Sequence, residues 1–274
     1  MKYLYQDLKK DDGITLRGVV NLPDDFDEKK KYKSIIFFHG LSGDRNGSKW
    51  FRITNAKYLC DRGYIVIRFD FSGSGESDGS FYDMTLTREL DEARLILEFV
   101  KNLPYIDQEE ISWYGHSLGG LISCLLAKEL SPKSLVLLAP ACDITKPEYL
   151  IDKSMALEMI IDRTSDYKNY EDRKNLLNRT PIEEYDFGGV KIHKNFFVDL
   201  LQYDAYEKAS LYNKNVLIIR GSLDDLVDRK SNEKLADTFK EASYIEIENT
   251  DHSFTNEDAR DKVYKIIYEF LEKE

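Results

Sequence analysis

The sequence has few cysteines and no long apolar stretch. Its three cysteines, Cys60, Cys124 and Cys142, form an odd and widely spaced set, which argues against a disulfide framework and against a metal site. No apolar stretch approaches the roughly 20 residues that a membrane span requires, and the N-terminus lacks the apolar core of a signal peptide. We therefore expect a cytoplasmic protein with reduced, buried thiols and no membrane span.

Positive charge is also scarce, because 39 Lys and Arg residues stand against 50 Asp and Glu residues, which gives a net charge of −11. A charge of this sign repels the phosphates of nucleic acids and of anionic lipids. The densest basic cluster is Lys29–Lys31, which we interpret as a solvated loop. We expect no nucleic acid among the partners of the protein.

Short, largely apolar runs recur along the chain and are separated by segments with helical spacing. Runs of this length suit strands that are buried on both faces, as in a parallel sheet. The first 20 residues instead alternate around Gly13, as in an antiparallel hairpin. The pattern predicts an α/β fold with a mostly parallel, doubly wound sheet and an N-terminal antiparallel hairpin. The apolar runs are Ile35–Phe38, Tyr64–Phe69, Ile111–Tyr114, Leu135–Ala139 and Val216–Ile219.

Residues 141–210 break this alternation. They show little buried-strand character and are rich in Tyr, Asp, Glu and Asn. A structureless loop of that length would be unusual in a compact domain. We therefore predict a core made of residues 1–140 and 211–274, and an inserted cap or lid subdomain over 141–210. The cap should cover the carboxyl edge of the sheet, where open α/β sheets bind ligands.

The strongest local signal is Gly115-His116-Ser117-Leu118-Gly119, which matches the nucleophile elbow G-x-S-x-G. An elbow holds its serine on a sharp strand-to-helix turn, and the glycines two residues to either side avoid Cβ clashes there. The context agrees, since an apolar run precedes the motif and a helical pattern follows it. We therefore predict that Ser117 is a catalytic nucleophile.

A serine nucleophile needs a general base, and the chain has only four histidines. In the chain order Ser, Asp, His, the histidine lies far downstream of the serine. His252, between the last strand and the last helix, fits that place. Of the others, His39 ends an early strand and shapes its turn, His116 lies inside the elbow, and His193 falls in the predicted cap.

The acid should follow the strand that comes after the insertion, where it can orient the histidine and stabilise its charged form. Asp224 and Asp225 compete for this role. We favour Asp224, because it stands three residues after a glycine and three before a valine, the spacing of a Gly-x-x-Asp-x-x-Val turn. Asp225 and Asp228 are interpreted as solvated turn residues, and Asp143, after the preceding strand, is a minor alternative.

Acyl transfer also needs two backbone amides to stabilise a tetrahedral oxyanion. One is predicted to be the N–H of Leu118, the residue after the nucleophile. The other should come from the loop after the first parallel strand, where Leu41 follows His39-Gly40. This chemistry needs no metal and no organic cofactor.

A glycine-rich segment offers a competing interpretation. Gly73-Ser74-Gly75 resembles the start of the dinucleotide-binding pattern G-x-G-x-x-G, but Asp78 stands where the last glycine belongs. We interpret Phe71–Gly79 as a tight loop at the rim of the cleft and not as a nucleotide site.

Five segments form a recognisable set: His39–Asp44, Arg68–Gly79, Gly115–Gly120, Gly221–Asp224 and Asp251-His252. Together they resemble the bacterial cinnamoyl and feruloyl esterases of the α/β-hydrolase superfamily, and they are similar to monoacylglycerol-lipase-like and lysophospholipase-like relatives. The resemblance covers residues 10–140 and 211–274. It implies a triad of Ser117, His252 and Asp224, an oxyanion hole at Leu41 and Leu118, and a small cap between the sixth and seventh strands of the sheet.

We therefore predict a serine carboxylic ester hydrolase that acts through an acyl-enzyme, on hydroxycinnamoyl (feruloyl-type) or other small esters. The expected partner is a small-molecule ester, and assembly as a homodimer is left open. Three alternatives remain: a monoacylglycerol or lysophospholipid lipase, a serine peptidase, and a non-catalytic binding protein on a hydrolase scaffold.

Overall fold

The computed structural model describes residues 1–145, 183–186 and 189–273. The described strands are β1 (Lys2–Lys9), β2 (Thr15–Leu22), β3 (Tyr32–Phe38), β4 (Ile65–Phe69), β5 (Ile106–His116), β6 (Leu135–Leu138), β7 (Glu184–Asp186), β8 (Lys191–His193), β9 (Val216–Gly221) and β10 (Ala242–Ile247). Eight of them form one sheet in the order β1-β2-β4-β3-β5-β6-β9-β10, and β7 and β8 form a separate hairpin.

The central sheet is antiparallel at one side and parallel over the rest. β1 pairs with β2, and β2 with β4, in antiparallel register. The strands from β4 through β3, β5, β6 and β9 to β10 are parallel to their neighbours. The predicted α/β class is therefore confirmed, with a mostly parallel sheet and an N-terminal antiparallel hairpin.

Helices pack on both faces of the central sheet. Alternate residues of a buried strand point to opposite faces, so each face of the sheet has its own apolar core. Ile36 of β3 packs in one core with Leu121, whereas its neighbour Ile35 packs in a second core with Val263. None of the described helices is long and apolar enough to cross a bilayer. They are α1 (Phe51–Cys60), α2 (Leu86–Lys101), α3 (Leu118–Leu130), α4 (Asn195–Leu200), α5 (Ala205–Ser210), α6 (Arg229–Thr238) and α7 (Glu257–Lys273).

The carboxyl ends of the parallel strands meet at one edge of the sheet. The loop after β3 carries Leu41, the turn after β5 carries Ser117, the loop after β9 carries Asp224, and the loop after β10 carries His252. Parallel pairing therefore gathers residues that are far apart in the sequence at the edge where α/β sheets bind ligands.

The loop after β4 is built around a buried carboxylate. Asp70 accepts hydrogen bonds from the backbone N–H of Arg45 at 2.6 Å and of Glu76 at 3.0 Å, and the Arg45 guanidinium also contacts it. Gly75 has a φ of 53°, and a Cβ there would lie 2.3 Å from Asp70 Oδ2. The glycine-rich segment Gly73-Ser74-Gly75 thus wraps a carboxylate of the protein itself, as expected for a tight structural loop.

Only part of the predicted cap is described. Residues 146–182 and 187–188 lie outside the described residues, so the assignment of 141–210 to one cap stays a prediction. The β7–β8 hairpin pairs its two strands with each other and not with the central sheet. α5 packs on α3, and its Ala205 and Ala209 are fully buried in the same core as α3.

Candidate active site

Ser117 lies on the turn between β5 and α3. Its φ of 55° and ψ of −116° are a conformation that residues other than glycine rarely adopt. A Cβ at Gly115 would lie 2.3 Å from the Gly119 carbonyl oxygen, and one at Gly119 would lie 2.2 Å from that of Phe38. The turn therefore requires both glycines, and its geometry is that of an elbow.

Neighbouring segments fix the backbone of Ser117. Its N–H donates to the Leu138 carbonyl at the end of β6, at 2.9 Å. Its carbonyl accepts from the N–H of Gly120 at 2.9 Å and of Ala141 at 3.1 Å. The strained turn is thereby tied to the next strand of the sheet and to the segment that follows it.

His252 and Asp224 form a buried hydrogen-bonded pair. His252 Nδ1 lies 2.8 Å from Asp224 Oδ2, while the other carboxylate oxygen accepts from the N–H of Leu226 at 2.9 Å and of Val227 at 3.0 Å. Burial alone would raise the pKa of Asp224, but the bond to His252 and the two amides outweigh it and hold the pKa below its ordinary value. An ionised carboxylate only accepts, so Nδ1 carries the proton and Nε2 is left to act as a base.

The hydroxyl of Ser117 has no hydrogen-bond partner in the described part of the chain. The structure joins His252 to Asp224 directly and brings it near Ser117 through the neighbouring His116, whose ring centre lies 5.1 Å from that of His252. Contacts between a nucleophile and its base are often long until substrate binds. The assignment of the three residues as a triad remains a prediction.

Two unpaired amides flank the turn. Among the described residues, neither the N–H of Leu118, the first residue of α3, nor that of Leu41 has a hydrogen-bond acceptor. The loop that carries Leu41 lies against the nucleophile, since a Cβ at Gly40 would come within 3.0 Å of the Ser117 Cβ. One amide thus lies in the loop after β3 and the other at the start of α3, which are the two positions that the oxyanion prediction names.

The sequence profile of the family described as serine aminopeptidase, S33, matches residues 29–259. The chain belongs to this family. Uncharacterized protein YcjY of Escherichia coli strain K12 is 24% identical over 262 residues, which cover 80% of this chain and 83% of that protein. The lysophosphatidylserine lipase ABHD12 of Xenopus tropicalis is 33% identical over 123 residues, which cover 41% of this chain but only 29% of the lipase.

Among solved structures, Est1E from Butyrivibrio proteoclasticus with bound ferulic acid has a TM-score of 0.80 and 24% identity to this chain, and the alignment covers 98% of both chains. This likeness confirms the predicted α/β-hydrolase fold and the resemblance to feruloyl esterases. Fold and family together make the protein a serine hydrolase.

Within this serine hydrolase, the competing acidic residues do not pair with His252. Asp225 is exposed, Asp228 caps the N-terminus of α6, and Asp143 accepts a hydrogen bond of 2.7 Å from a tyrosine hydroxyl. Of the four candidates, Asp224 is the one that contacts the histidine. In the described ranges, no group of three or more His, Cys, Asp or Glu side chains could hold a metal ion.

Two of the remaining histidines bond to backbone groups. His39 Nδ1 lies 2.9 Å from the Gly40 carbonyl, and its Nε2 accepts from the Phe71 N–H at 3.0 Å. Burial lowers the pKa of His39 to about 4, so the ring is neutral. It shapes its turn, as the sequence indicated. His193, in the predicted cap, accepts from the Asn195 N–H at 3.2 Å.

The fourth histidine, His116, has a position that sequence reasoning missed. Its Nε2 lies 2.9 Å from the His252 carbonyl and its Nδ1 lies 2.9 Å from the Arg52 guanidinium. Burial, helped by the nearby Arg52 charge, lowers the pKa of His116 well below its ordinary value. The motif treats this position as variable, and its partners lie 64 and 136 residues away, so no local pattern could have found the contact.

Proposed function

We propose that this protein is a carboxylic ester hydrolase that acts through an acyl-enzyme on Ser117. The observation that carries the proposal is the buried hydrogen bond of 2.8 Å between His252 and Asp224. The loop that carries His252 is bonded through His116 to the strained turn of the serine. An oriented histidine beside a serine on a strained turn is the arrangement that activates the serine.

In the proposed reaction, His252 Nε2 takes the hydroxyl proton as Ser117 Oγ attacks the ester carbonyl. The N–H groups of Leu41 and Leu118 stabilise the oxyanion, and Asp224 stabilises the imidazolium. The imidazolium then protonates the leaving alcohol. Water attacks the acyl-enzyme with His252 again as base, which releases the acid and restores the serine.

We propose hydroxycinnamoyl (feruloyl-type) or other small esters as the substrates. The ferulic acid complex that this chain resembles is aligned over 98% of both chains, and this likeness supports the proposal. Binding of ferulic acid is a property of that protein, and its extension to this chain is what the experiment must test.

A lipase is the second candidate function, supported by the identity of 33% with the lysophosphatidylserine lipase. A peptidase is the third, because the family description names aminopeptidases. All three candidate functions use Ser117 as the nucleophile and His252 as the base. They differ in the substrate group that must fit between these residues and the predicted cap.

The test measures kcat/KM for methyl ferulate, a long-chain monoacylglycerol and an aminoacyl p-nitroanilide. We expect methyl ferulate to be the best substrate, and Ser117→Ala to lower its kcat by about 10⁶-fold, as for other serine nucleophiles. A preference for the monoacylglycerol would instead support the lipase, and a preference for the anilide would support the peptidase.

Labelling with a fluorophosphonate separates an enzyme from a non-catalytic scaffold. We expect the wild-type protein and Ser210→Ala, which changes an exposed serine of α5, to be labelled equally. Ser117→Ala should not be labelled. A wild-type protein that stays unlabelled would contradict catalysis by this serine.

A further inference from the structure

Arg52 is a buried cation in the first turn of α1. It is 3% exposed, and no described carboxylate lies within salt-bridge distance of it. Arginines that are buried this completely are ordinarily paired, because removing the charge from water is costly. Burial accordingly lowers the pKa of Arg52. The contacts of the Arg52 guanidinium must therefore offset the free-energy cost of burying its charge.

The partners of the guanidinium are a carbonyl and an imidazole. Nη1 donates to the Asp44 carbonyl at 2.9 Å, and Nη2 donates to His116 Nδ1 at 2.9 Å. Packing fixes this position, because a Cβ at Gly47 would lie 2.9 Å from Nη1 and 3.0 Å from the Arg52 Cγ. The side chain fills the space that the glycine leaves open.

The arginine sets the tautomer of His116. A guanidinium can only donate, so His116 Nδ1 must be the bare acceptor and Nε2 must carry the proton. That N–H points to the His252 carbonyl at 2.9 Å. A single neutral tautomer therefore satisfies both contacts, and protonation of Nδ1 would break the bond to Arg52.

This relay of hydrogen bonds joins three segments that the reaction needs. Asp44 is in the loop after β3, three residues beyond Leu41. His116 directly precedes Ser117, and His252 is the proposed base. Each segment follows a different strand, so the strand pairing alone does not fix the distances between them to the accuracy that catalysis requires.

We propose that Arg52 and His116 are a positioning pair that sets the His252 loop against Ser117 and holds the Leu41 loop beside them. This inference rests on the proposed function, since it assigns the pair to the same site. Neither side chain takes part in bond making. Their effect is on the placement of the base and of the oxyanion loop.

The central test compares His116→Gln with His116→Asn. The glutamine amide can place an N–H near the position of His116 Nε2, whereas the shorter asparagine reaches only the position of Nδ1. We expect His116→Asn to lower kcat by about 10²-fold, the cost of a misplacement of about 1 Å, with KM changed less than about twofold. His116→Gln should recover at least about tenfold of that loss at the same Tm.

Arg52 is tested by Arg52→Met and by the double variant with His116→Asn. If the two residues act through one relay, the double variant should be no slower than the slower single variant. Equal kcat for His116→Gln and His116→Asn at matched Tm would overturn the proposal, as would fully additive losses in the double variant.

A third measurement separates this proposal from the proposed function. The ¹⁵N NMR shifts of the His116 ring should show a protonated Nε2 and a bare Nδ1 in the intact protein, whether or not the protein cleaves esters. A protonated Nδ1 would overturn the positioning pair alone. A wild-type protein that hydrolyses none of the three substrates, or a Ser117→Ala variant that still does, would overturn the proposed function alone.

Discussion

Two buried carboxyl groups, Asp224 in the loop after β9 and Glu89 of α2, have opposite pKa shifts. Asp224 accepts three hydrogen bonds, and its pKa lies below the ordinary value although burial acts against this. Glu89 of α2 is 2% exposed, and one of its carboxyl oxygens has no partner in the described part of the chain. Burial, and then the nearby Glu92, raise the pKa of Glu89 well above its ordinary value.

The difference shows that burial alone does not determine the charge of a carboxyl group here. Glu92, one turn further along α2, is fully buried but accepts from Lys10 Nζ at 2.7 Å and from the Ser72 N–H at 2.8 Å. Donors aimed at the oxygens favour the ionised form, and their absence favours the neutral one. Three substitutions can break or sharpen this comparison.

Removing the charge of Asp224 should have the largest effect. In Asp224→Asn the amide can no longer hold the Nδ1–H tautomer of His252, so we expect kcat for ester hydrolysis to fall by about 10⁴-fold. The exposed neighbour provides the control, Asp225→Asn, which should keep wild-type kcat. Similar losses in both variants would show that Asp224 is not the orienting acid.

Removing the cation beside Glu92 should have an intermediate effect. Lys10→Met leaves Glu92 with a single amide donor, and we expect the free energy of unfolding to fall by about 2–3 kcal/mol, less than for a fully buried pair because Lys10 is partly exposed. Chemical denaturation measures the change. Lys9→Met alters an exposed neighbour and should leave stability unchanged. An unchanged midpoint in Lys10→Met would mean that the Glu92 carboxyl does not depend on this ion pair.

Removing the carboxyl of Glu89 should have the smallest effect of the three. It should also raise the free energy of unfolding and not lower it. We expect Glu89→Gln to stabilise the protein at pH 7 by about 1–2 kcal/mol, because a group that is costly to ionise in the core is gone.

The pH dependence of that gain follows from the raised pKa of Glu89 in the folded protein. Above the unfolded value of 4.5 the unfolded chain releases this proton while the folded chain keeps it, so wild-type stability falls as pH rises. The gain from Glu89→Gln should therefore vanish below that pH and grow above it. The exposed Glu98→Gln on the same helix should show no such slope, and a gain that is independent of pH would contradict the assignment.

The sequence predicted those elements whose signal is local and apolar. Helix α3 (Leu118–Leu130) follows the elbow motif directly, where the sequence predicted a helical pattern, and five strands follow their apolar runs. The apolar run predicted only the later, buried part of β5. The residues that follow Ile106 at the start of this strand are polar and partly exposed. Strand β10 was not predicted, because this edge strand mixes apolar and polar residues and most of them are only half-buried.

Helix α1 was missed for a different reason. Its inner face carries Arg52 and Asn55, both buried and both polar, so its pattern is not that of an amphipathic helix. Of these two residues, Arg52 forms the hydrogen bonds to the site that no motif contains. Motif and chain order thus led to the prediction of Ser117, Asp224 and His252, but they could not indicate the side chains that contact these segments from elsewhere in the fold.

The close approach of Gly119 to the Phe38 carbonyl oxygen has a consequence for folding. The turn of Ser117 can adopt its strained form only after β3 and β5 have paired in the correct register, since the oxygen that Gly119 accommodates belongs to the neighbouring strand. A chain with a slipped register would relax the turn and leave an ordinary, unreactive hydroxyl. We therefore expect the proposed reactivity of Ser117 to require this pairing, so that labelling of the serine would count correctly registered molecules in a refolding experiment.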